Sequence, residues 1–213
     1  MRPTKFITIE GGEGAGKSTV MQFVQTHLQQ AGITAAMTRE PGGTAYAEKI
    51  RGLLLHTDTN EKVEPATELL LMFAGRAQHI HQFILPALAA GKWVVSDRFI
   101  DASYAYQGGG RGLNMQFIAA LDQHVVEKNY PDLTLLLDLP PELGFERTLK
   151  RGTGKDRIEQ EQIDFFKRVR DVYLQRQQQD PQRIKLINAA LTLPEVEQQV
   201  AAALNTLITS KVS

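Results

Sequence analysis

Gly11-Gly12-Glu13-Gly14-Ala15-Gly16-Lys17-Ser18 has the G-x-x-x-x-G-K-[ST] spacing of a phosphate-binding loop. Its context gives the motif weight. Residues 5–10 alternate as a short strand and residues 18–31 read as a helix, so the glycines fall in a strand-to-helix turn. Glycine there takes positive φ, and without a Cβ it lets backbone N–H groups close around phosphate oxygens. The helix N-terminus adds unpaired N–H groups and the positive end of its dipole. Lys17 can then reach the β- and γ-phosphates of a nucleotide, and the Ser18 hydroxyl can ligate Mg²⁺. A chance match in a plain glycine-rich turn is set aside because the strand and the helix both flank it.

The rest of the composition narrows the class. A chain of 213 residues with 42% hydrophobic residues suits one domain, with or without a lid. Lys+Arg and Asp+Glu both number 24, so no global field recruits nucleic acid or an anionic membrane. The absence of cysteine excludes disulfides and thiolate metal sites and fits a reducing compartment. The apolar runs 69–74 and 133–139 fall far short of the ~20 residues of a membrane span. With apolar residues 6–9 leading straight into the loop, no signal peptide is expected and the protein is read as cytoplasmic.

Strand and helix patterns alternate along the chain. Residues 33–38 form a second candidate strand, and Arg39-Glu40-Pro41-Gly42-Gly43-Thr44 must be a loop at its C-terminal end. That is where open α/β sheets place ligands. A helix over 45–55 follows, then a polar surface loop over 56–64. Pro65 suits the first turn of a helix running to about residue 83, with Leu69, Met72, Phe73, Ile80 and Ile84 at helical spacing. Arg76 interrupts that core stripe one turn after Met72 and Phe73, and suits a planar, hydrogen-bonding ligand. His79 and His81, two apart, point to different faces and do not make a metal pair.

Residues 93–96 read as a buried parallel strand that ends in Asp97-Arg98, a charged pair costly to place there unless it works. Helix 114–126 precedes strand 133–139, which carries Asp138. Asp97 and Asp138 fit a Walker-B aspartate equally well. After helix 141–150, Arg147, Lys150, Arg151, Lys155 and Arg157 crowd around Gly152-Thr153-Gly154, which suggests a mobile lid bringing cations onto phosphate. Helix 160–178, strand 184–187 and helix 193–208 close the chain. Five alternations of strand and helix predict a parallel α/β sheet with right-handed crossovers.

Together these residues resemble the bacterial type of thymidylate kinase over nearly the whole length. The resemblance rests on 11–19, on 39–44, on Arg76-Ala77-Gln78-His79 and on Asp97-Arg98-Phe99. It rests further on Ser103 with Tyr106-Gln107-Gly108, and on Asp156-Arg157-Ile158-Glu159. It implies the P-loop NTPase fold with a five-stranded parallel sheet, one domain over 1–213 and a lid at about 147–160. It also implies a homodimer that transfers the γ-phosphoryl group of Mg·ATP to dTMP.

By the same resemblance Gly11, Gly12, Glu13, Gly14, Ala15, Gly16, Lys17, Ser18 and Thr19 hold ATP, with Arg147 near the adenine. Ser18 and Asp97 serve Mg²⁺. Arg98 clamps the dTMP phosphate, with Arg39, Pro41 and Glu13 in the acceptor region. Thymine offers carbonyl acceptors and one N–H, which Arg76, Ser103 and Gln107 can meet. Phe73 is assigned to stack on the base, although many members carry their aromatic at the position of Met72. Tyr106 packs on the deoxyribose. The phosphate loop lacks an arginine, so Arg151 and Arg157, and after them Lys155, are the catalytic candidates. A kinase of another small nucleotide, and a P-loop ATPase or switch, are the competing readings.

Overall fold

A computed structural model describes residues 4–55, 62–151, 157, 158 and 160–209. Five strands form one all-parallel sheet in the order β2-β3-β1-β4-β5: β1 Phe6–Gly11, β2 Ala35–Arg39, β3 Trp93–Asp97, β4 Leu133–Asp138 and β5 Ile184–Asn188. The predicted sheet is therefore present, with strand ends moved by a residue or two. The helices are α1 Lys17–Gln30, α2 Ala45–Leu55, α3 Pro65–His79, α4 Leu85–Ala89, α5 Ile100–Ser103, α6 Met115–Val125, α7 Pro141–Arg151, α8 Ile163–Gln179 and α9 Leu193–Thr209.

Strand alternation sorts the core into layers. Ile7, Ile9, Val95, Leu135 and Leu137 face α1 and α9, meeting Val20, Val24, Leu28, Val200 and Leu204. Phe6 and Val94 face the other way, toward Leu69 and Phe73 of α3 and Ile118 of α6. Leu136 and Ile184 pack under Phe165, Phe166, Val169 and Tyr173 of α8. The sheet is thus buried on both faces, as parallel strands require.

Two segments depart from the expected regularity. The long helix expected from Pro65 contains a π-helical turn, Ile80–Ile84, before α4. Pro86 explains it: proline has no N–H for the carbonyl four residues back, and its ring crowds that carbonyl, so the helix widens. The second π-helical segment, Tyr104–Gly110, continues α5. Its three glycines let α8 lie close, since a Cβ at Gly109 would fall 2.7 Å from Val172 Cγ2 and one at Gly110 2.4 Å from the Phe165 ring.

The register sets the working edge. Ile9 and Arg39 both pair with Asp97, and Gly11 pairs with Leu137, so the loop after β1, the loop after β2 and the Asp97-Arg98 turn share one C-terminal edge. The strand order reverses at β1, which makes this edge a topological switch point.

Behind that edge Asp101, 1% exposed, accepts from Arg176 and from Arg183 and ties α5 to α8 and to the residue that leads into β5. Removing one member of a buried ion cluster leaves uncompensated charge. Asp101→Ala is expected to lower the unfolding free energy by about 3–5 kcal/mol in a urea titration; a change under about 1 kcal/mol would mean that the arginines find water instead.

Candidate active site

At the switch point a cavity of about 660 Å³ collects most of the residues singled out from the sequence. Its phosphate end is the loop between β1 and α1. Gly16 holds φ 90° as the residue before the helix, a conformation that favours glycine. Gly14, at φ 73°, has a second reason: a Cβ there would lie 2.4 Å from the Gly144 carbonyl of α7. Lys17 folds back so that its Nζ donates to the carbonyls of Gly12 at 3.0 Å and Gly11 at 3.2 Å. Burial, and then the Arg98 cation, lower the Lys17 pKa against the pull of Glu13, Asp97 and Glu10. An anion in the loop would supply the missing counter-charge. Glu13 through Thr19 all line the cavity, whereas Gly11 and Gly12 lie behind the loop against a smaller cleft.

Arg98 crosses from β3 to this loop. Its backbone takes φ 69°, unusual for a residue with a side chain, and the Ser96 hydroxyl donates to its carbonyl at 2.8 Å. The guanidinium donates to Glu13 Oε1 at 2.6 Å, to the Gly11 carbonyl at 2.9 Å and to the Tyr173 hydroxyl at 3.3 Å, over the Tyr106 ring at 4.7 Å. Burial opposes its charge, but Tyr106, Glu13 and their neighbours outweigh that and hold it firmly cationic. Tyr106 donates to the same Glu13 oxygen at 3.0 Å, which joins the ring expected at the sugar to the phosphate loop.

Beneath Arg98 lies Glu10, fully buried, which the sequence reading passed over as a strand residue. It accepts from the Phe99 N–H and from the Tyr173 hydroxyl, each at 2.7 Å. Burial first, and then the charge of Asp101, push its pKa from 4.5 up to about 8, against Arg98 and the two donors. Its signal in the sequence was a lone acid in an otherwise apolar strand end.

The far end of the cavity is walled by α3 and the segment after β3. Arg76, 3% exposed, donates to Glu40 at 2.8 Å, to Ser103 Oγ at 3.0 Å and to the Phe99 carbonyl at 2.9 Å. Glu40 in turn meets His79 at 2.9 Å, so the loop after β2 is pinned to α3. Ser103, Tyr106, Gln107 and Pro41 line the same space. Arg39 lines it too, but its exposed side chain pairs with Glu48 at 3.0 Å.

The stacking expectation for Phe73 needs correction. Phe73 is 2% exposed in the core, with Arg76 over its ring at 4.9 Å, and Met72 lines the cavity. One helical residue turns about 100°, enough to trade the cavity for the core. Met72 and Arg76, four apart on α3, line the cavity, and Glu68 lies one turn earlier on the same stripe.

The structure separates the two Walker-B candidates. Asp138 is taken by Arg170 in a two-pronged pair at 2.7 and 3.0 Å. Asp97 lines the cavity, and its Oδ1 is buried with no hydrogen-bond partner among the described residues. A buried carboxylate oxygen left open in a cavity that Ser18 also lines fits a hydrated divalent cation, a hard ion that takes oxygen ligands. Arg147 lines the cavity and donates to the Ala189 carbonyl at 3.0 Å. Arg157 does not enter: its guanidinium binds the buried Glu68 carboxylate and the Leu54 carbonyl. Lys155, Asp156, Gly152-Thr153-Gly154 and the loop at 56–61 lie outside the described residues, as does the side chain of Arg151.

A phosphate loop that opens onto a second, arginine-lined pocket on this sheet topology defines a P-loop phosphotransferase for two small anionic substrates. Comparison with known proteins identifies which. The family model described as "Thymidylate kinase" matches residues 9–200. The thymidylate kinase of Vesicomyosocius okutanii subsp. Calyptogena okutanii is 55% identical over 97% of this chain and 100% of its own. That of Chromohalobacter salexigens is 51% identical over 99% of both. The crystal structure of thymidylate kinase from Ehrlichia chaffeensis superposes with a TM-score of 0.76 at 31% identity, covering 95% of this chain and 98% of that one. The chain belongs to the thymidylate kinase family.

The elevated Glu10 pKa sets a pH dependence. Between about 4.5 and 8 the folded chain holds a proton that the unfolded chain releases, so stability contributed here falls as pH rises through that window. The wild type is expected to lose about 2–4 kcal/mol more unfolding free energy than Glu10→Gln between pH 5 and 8, at about 1.4 kcal/mol per decade of pH. Parallel curves for the two proteins would show that Glu10 is ionised throughout.

Proposed function

We propose that this protein transfers the γ-phosphoryl group of ATP to dTMP, giving ADP and dTDP on the way to dTTP. One observation carries the reading: the phosphate loop and the pocket of Arg76, Ser103 and Gln107 open into a single cavity, with Arg98 and Glu13 between them. An oxygen of the acceptor phosphate forms the new bond to the γ-phosphorus while the bond to the bridging oxygen of ADP breaks. Such a transfer needs in-line positioning and cations around the transferring oxygens more than covalent help.

In this reading the loop amides and Lys17 hold the donor's phosphates, and Thr19 and Arg147 complete its site. Arg98, a planar fork suited to a dianion, holds the acceptor phosphate, with Arg39 and Pro41 beside it. Glu13 keeps Arg98 aimed, and Tyr106 packs on the deoxyribose, where a ring excludes a 2′-hydroxyl. Mg²⁺ would be held by Ser18 and by Asp97 or its waters, and it would neutralise charge between the β- and γ-phosphates. The lid at about 147–160 would supply the remaining cations from Arg151, Lys155 or Arg157. For Arg157 this requires release from Glu68.

The whole of 1–213 reads as one such domain. Tyr46 and Leu53 on α2, Leu70 on α3 and Phe117 on α6 are exposed on helices that pack in series, and a second copy of the chain would cover them in the proposed homodimer. No helix among the described residues is long and apolar enough to cross a membrane. Balanced charge favours a protein that binds neither membrane nor nucleic acid, and we place it in the cytoplasm.

Coupled ADP release from Mg·ATP should depend on dTMP and be much weaker with dUMP, dCMP, AMP and thymidine. Release indifferent to every acceptor would make the protein a P-loop ATPase and overturn the assignment. Arg98→Ala should lower kcat/KM for dTMP by about 100-fold or more, the scale of removing a charge clamp on a reacting anion. A loss of less than about 5-fold would remove Arg98 from the acceptor site.

A further inference from the structure

Glu68 has no part in phosphoryl transfer as described above, yet it is 1% exposed at the centre of a converging set of donors. Gln107 Nε2 donates to its Oε1 at 2.8 Å. Arg111 bridges both of its oxygens through Nε, at 3.3 and 3.2 Å, and also pairs with Glu161. Arg157 closes the set on Oε2. Two cations around one carboxylate make its burial tolerable. Burial raises its pKa, but the Gln107 hydrogen bond, the Arg111 charge and the Arg157 hydrogen bond outweigh that and leave it below the usual carboxylate range.

An ionised carboxylate only accepts hydrogen bonds, whereas a carboxamide has one donating and one accepting end. Gln107 must therefore give its NH₂ to Glu68, because the reversed amide would press two acceptor oxygens together in a buried place. Its Oε1 then points away from Glu68, on a residue that is itself 1% exposed and lines the cavity beside Ser103 and Arg76. We propose that Glu68 is a positioning residue for base selection. By fixing the orientation of the Gln107 carboxamide, it presents the base with an acceptor. That acceptor matches the N3–H of thymine and opposes the bare N3 of cytosine. The proposal rests on the acceptor pocket being the thymidylate site.

Replacing Glu68 by glutamine keeps the shape and reverses the demand on Gln107. Arg111 and Arg157 hold the new carbonyl oxygen, so the new NH₂ faces Gln107, which must answer with its own oxygen and turn its NH₂ toward the base. A site built to hydrogen-bond a substrate group discriminates through that bond, so a reversed Gln107 costs selectivity rather than turnover. The experiment compares kcat and KM for dTMP and dCMP, and KM for ATP, in the wild type, Glu68→Gln, Gln107→Leu and the double variant.

Wild-type turnover that shows no preference for dTMP would sink the substrate reading itself. Given that preference, Glu68→Gln should lower the dTMP-to-dCMP ratio of kcat/KM by about tenfold or more, mainly through KM for dTMP, with KM for ATP unchanged. In the Gln107→Leu background the same substitution should leave the ratio where it was. A uniform fall in kcat for both acceptors at a constant ratio would show that Glu68 only anchors Arg111 and Arg157, and would overturn the proposal. Should Glu68→Gln fail to fold, the exchanged pair Glu68→Gln with Gln107→Glu keeps both the charge and an acceptor toward the base. It should retain the preference for dTMP, and its loss would overturn the proposal equally.

Discussion

The Arg98 guanidinium joins several parts of the fold at one point. It starts at the end of β3, reaches the carbonyl that closes β1, takes Glu13 from the phosphate loop, and lies on the Tyr106 ring from the segment after α5. Its positive φ is what sends the side chain back across the strand ends instead of along the next helix. Such a conformation persists only where surrounding contacts over-determine it. Here they do: Glu10 grips the next N–H, and Tyr173 ties Glu10 to the guanidinium. Donor loop, acceptor pocket and sheet edge are therefore registered against one cation.

Around that cation the molecule relies on buried acids. Glu40, Glu68 and Asp101 are each almost fully buried and each is met by an arginine. Buried ion pairs contribute little to net stability, because desolvation cancels most of the Coulomb gain, but a missing partner is costly. Their effect is to make alternative placements of α3, α5 and α8 expensive. That suits a site whose reaction depends on holding two phosphates in line, where small misplacements cost much of the rate.

The sheet and the loop were legible in the sequence because their signals are local. Gly16-Lys17-Ser18 after an apolar strand, and five strand-helix alternations, need no tertiary knowledge. Arg76 was legible because a cation in an apolar helical stripe demands a partner. The rest depended on contacts between segments distant in the chain. Phe73 and Met72 differ by one helical step, and only packing decides which faces the cavity. Glu68 is an acid in the first turn of α3, a place where such residues favour the helix dipole and give no other signal. Its partners lie at 107, 111 and 157, and no periodicity announces them. Arg157 was read as a lid cation for the same reason: composition around the glycines shows charge, not where the charge is parked. Asp138 and Asp97 were indistinguishable as strand-end acids until Arg170 was seen to occupy one and leave the other open to the cavity.

The placement of Glu68 links two functions that the sequence kept apart. One carboxylate accepts from the Gln107 amide, at the proposed acceptor pocket, and from Arg157, a proposed lid cation. Any movement that brings Arg157 to the transferring phosphate must take a cation away from Glu68. Arg111, bound to both oxygens, remains to keep the charge compensated and the Gln107 amide in place. On the proposed reading, Arg111 is what would allow Arg157 to leave without loosening base selection. That role would account for two arginines on one buried acid when a single bidentate partner would suffice to neutralise it.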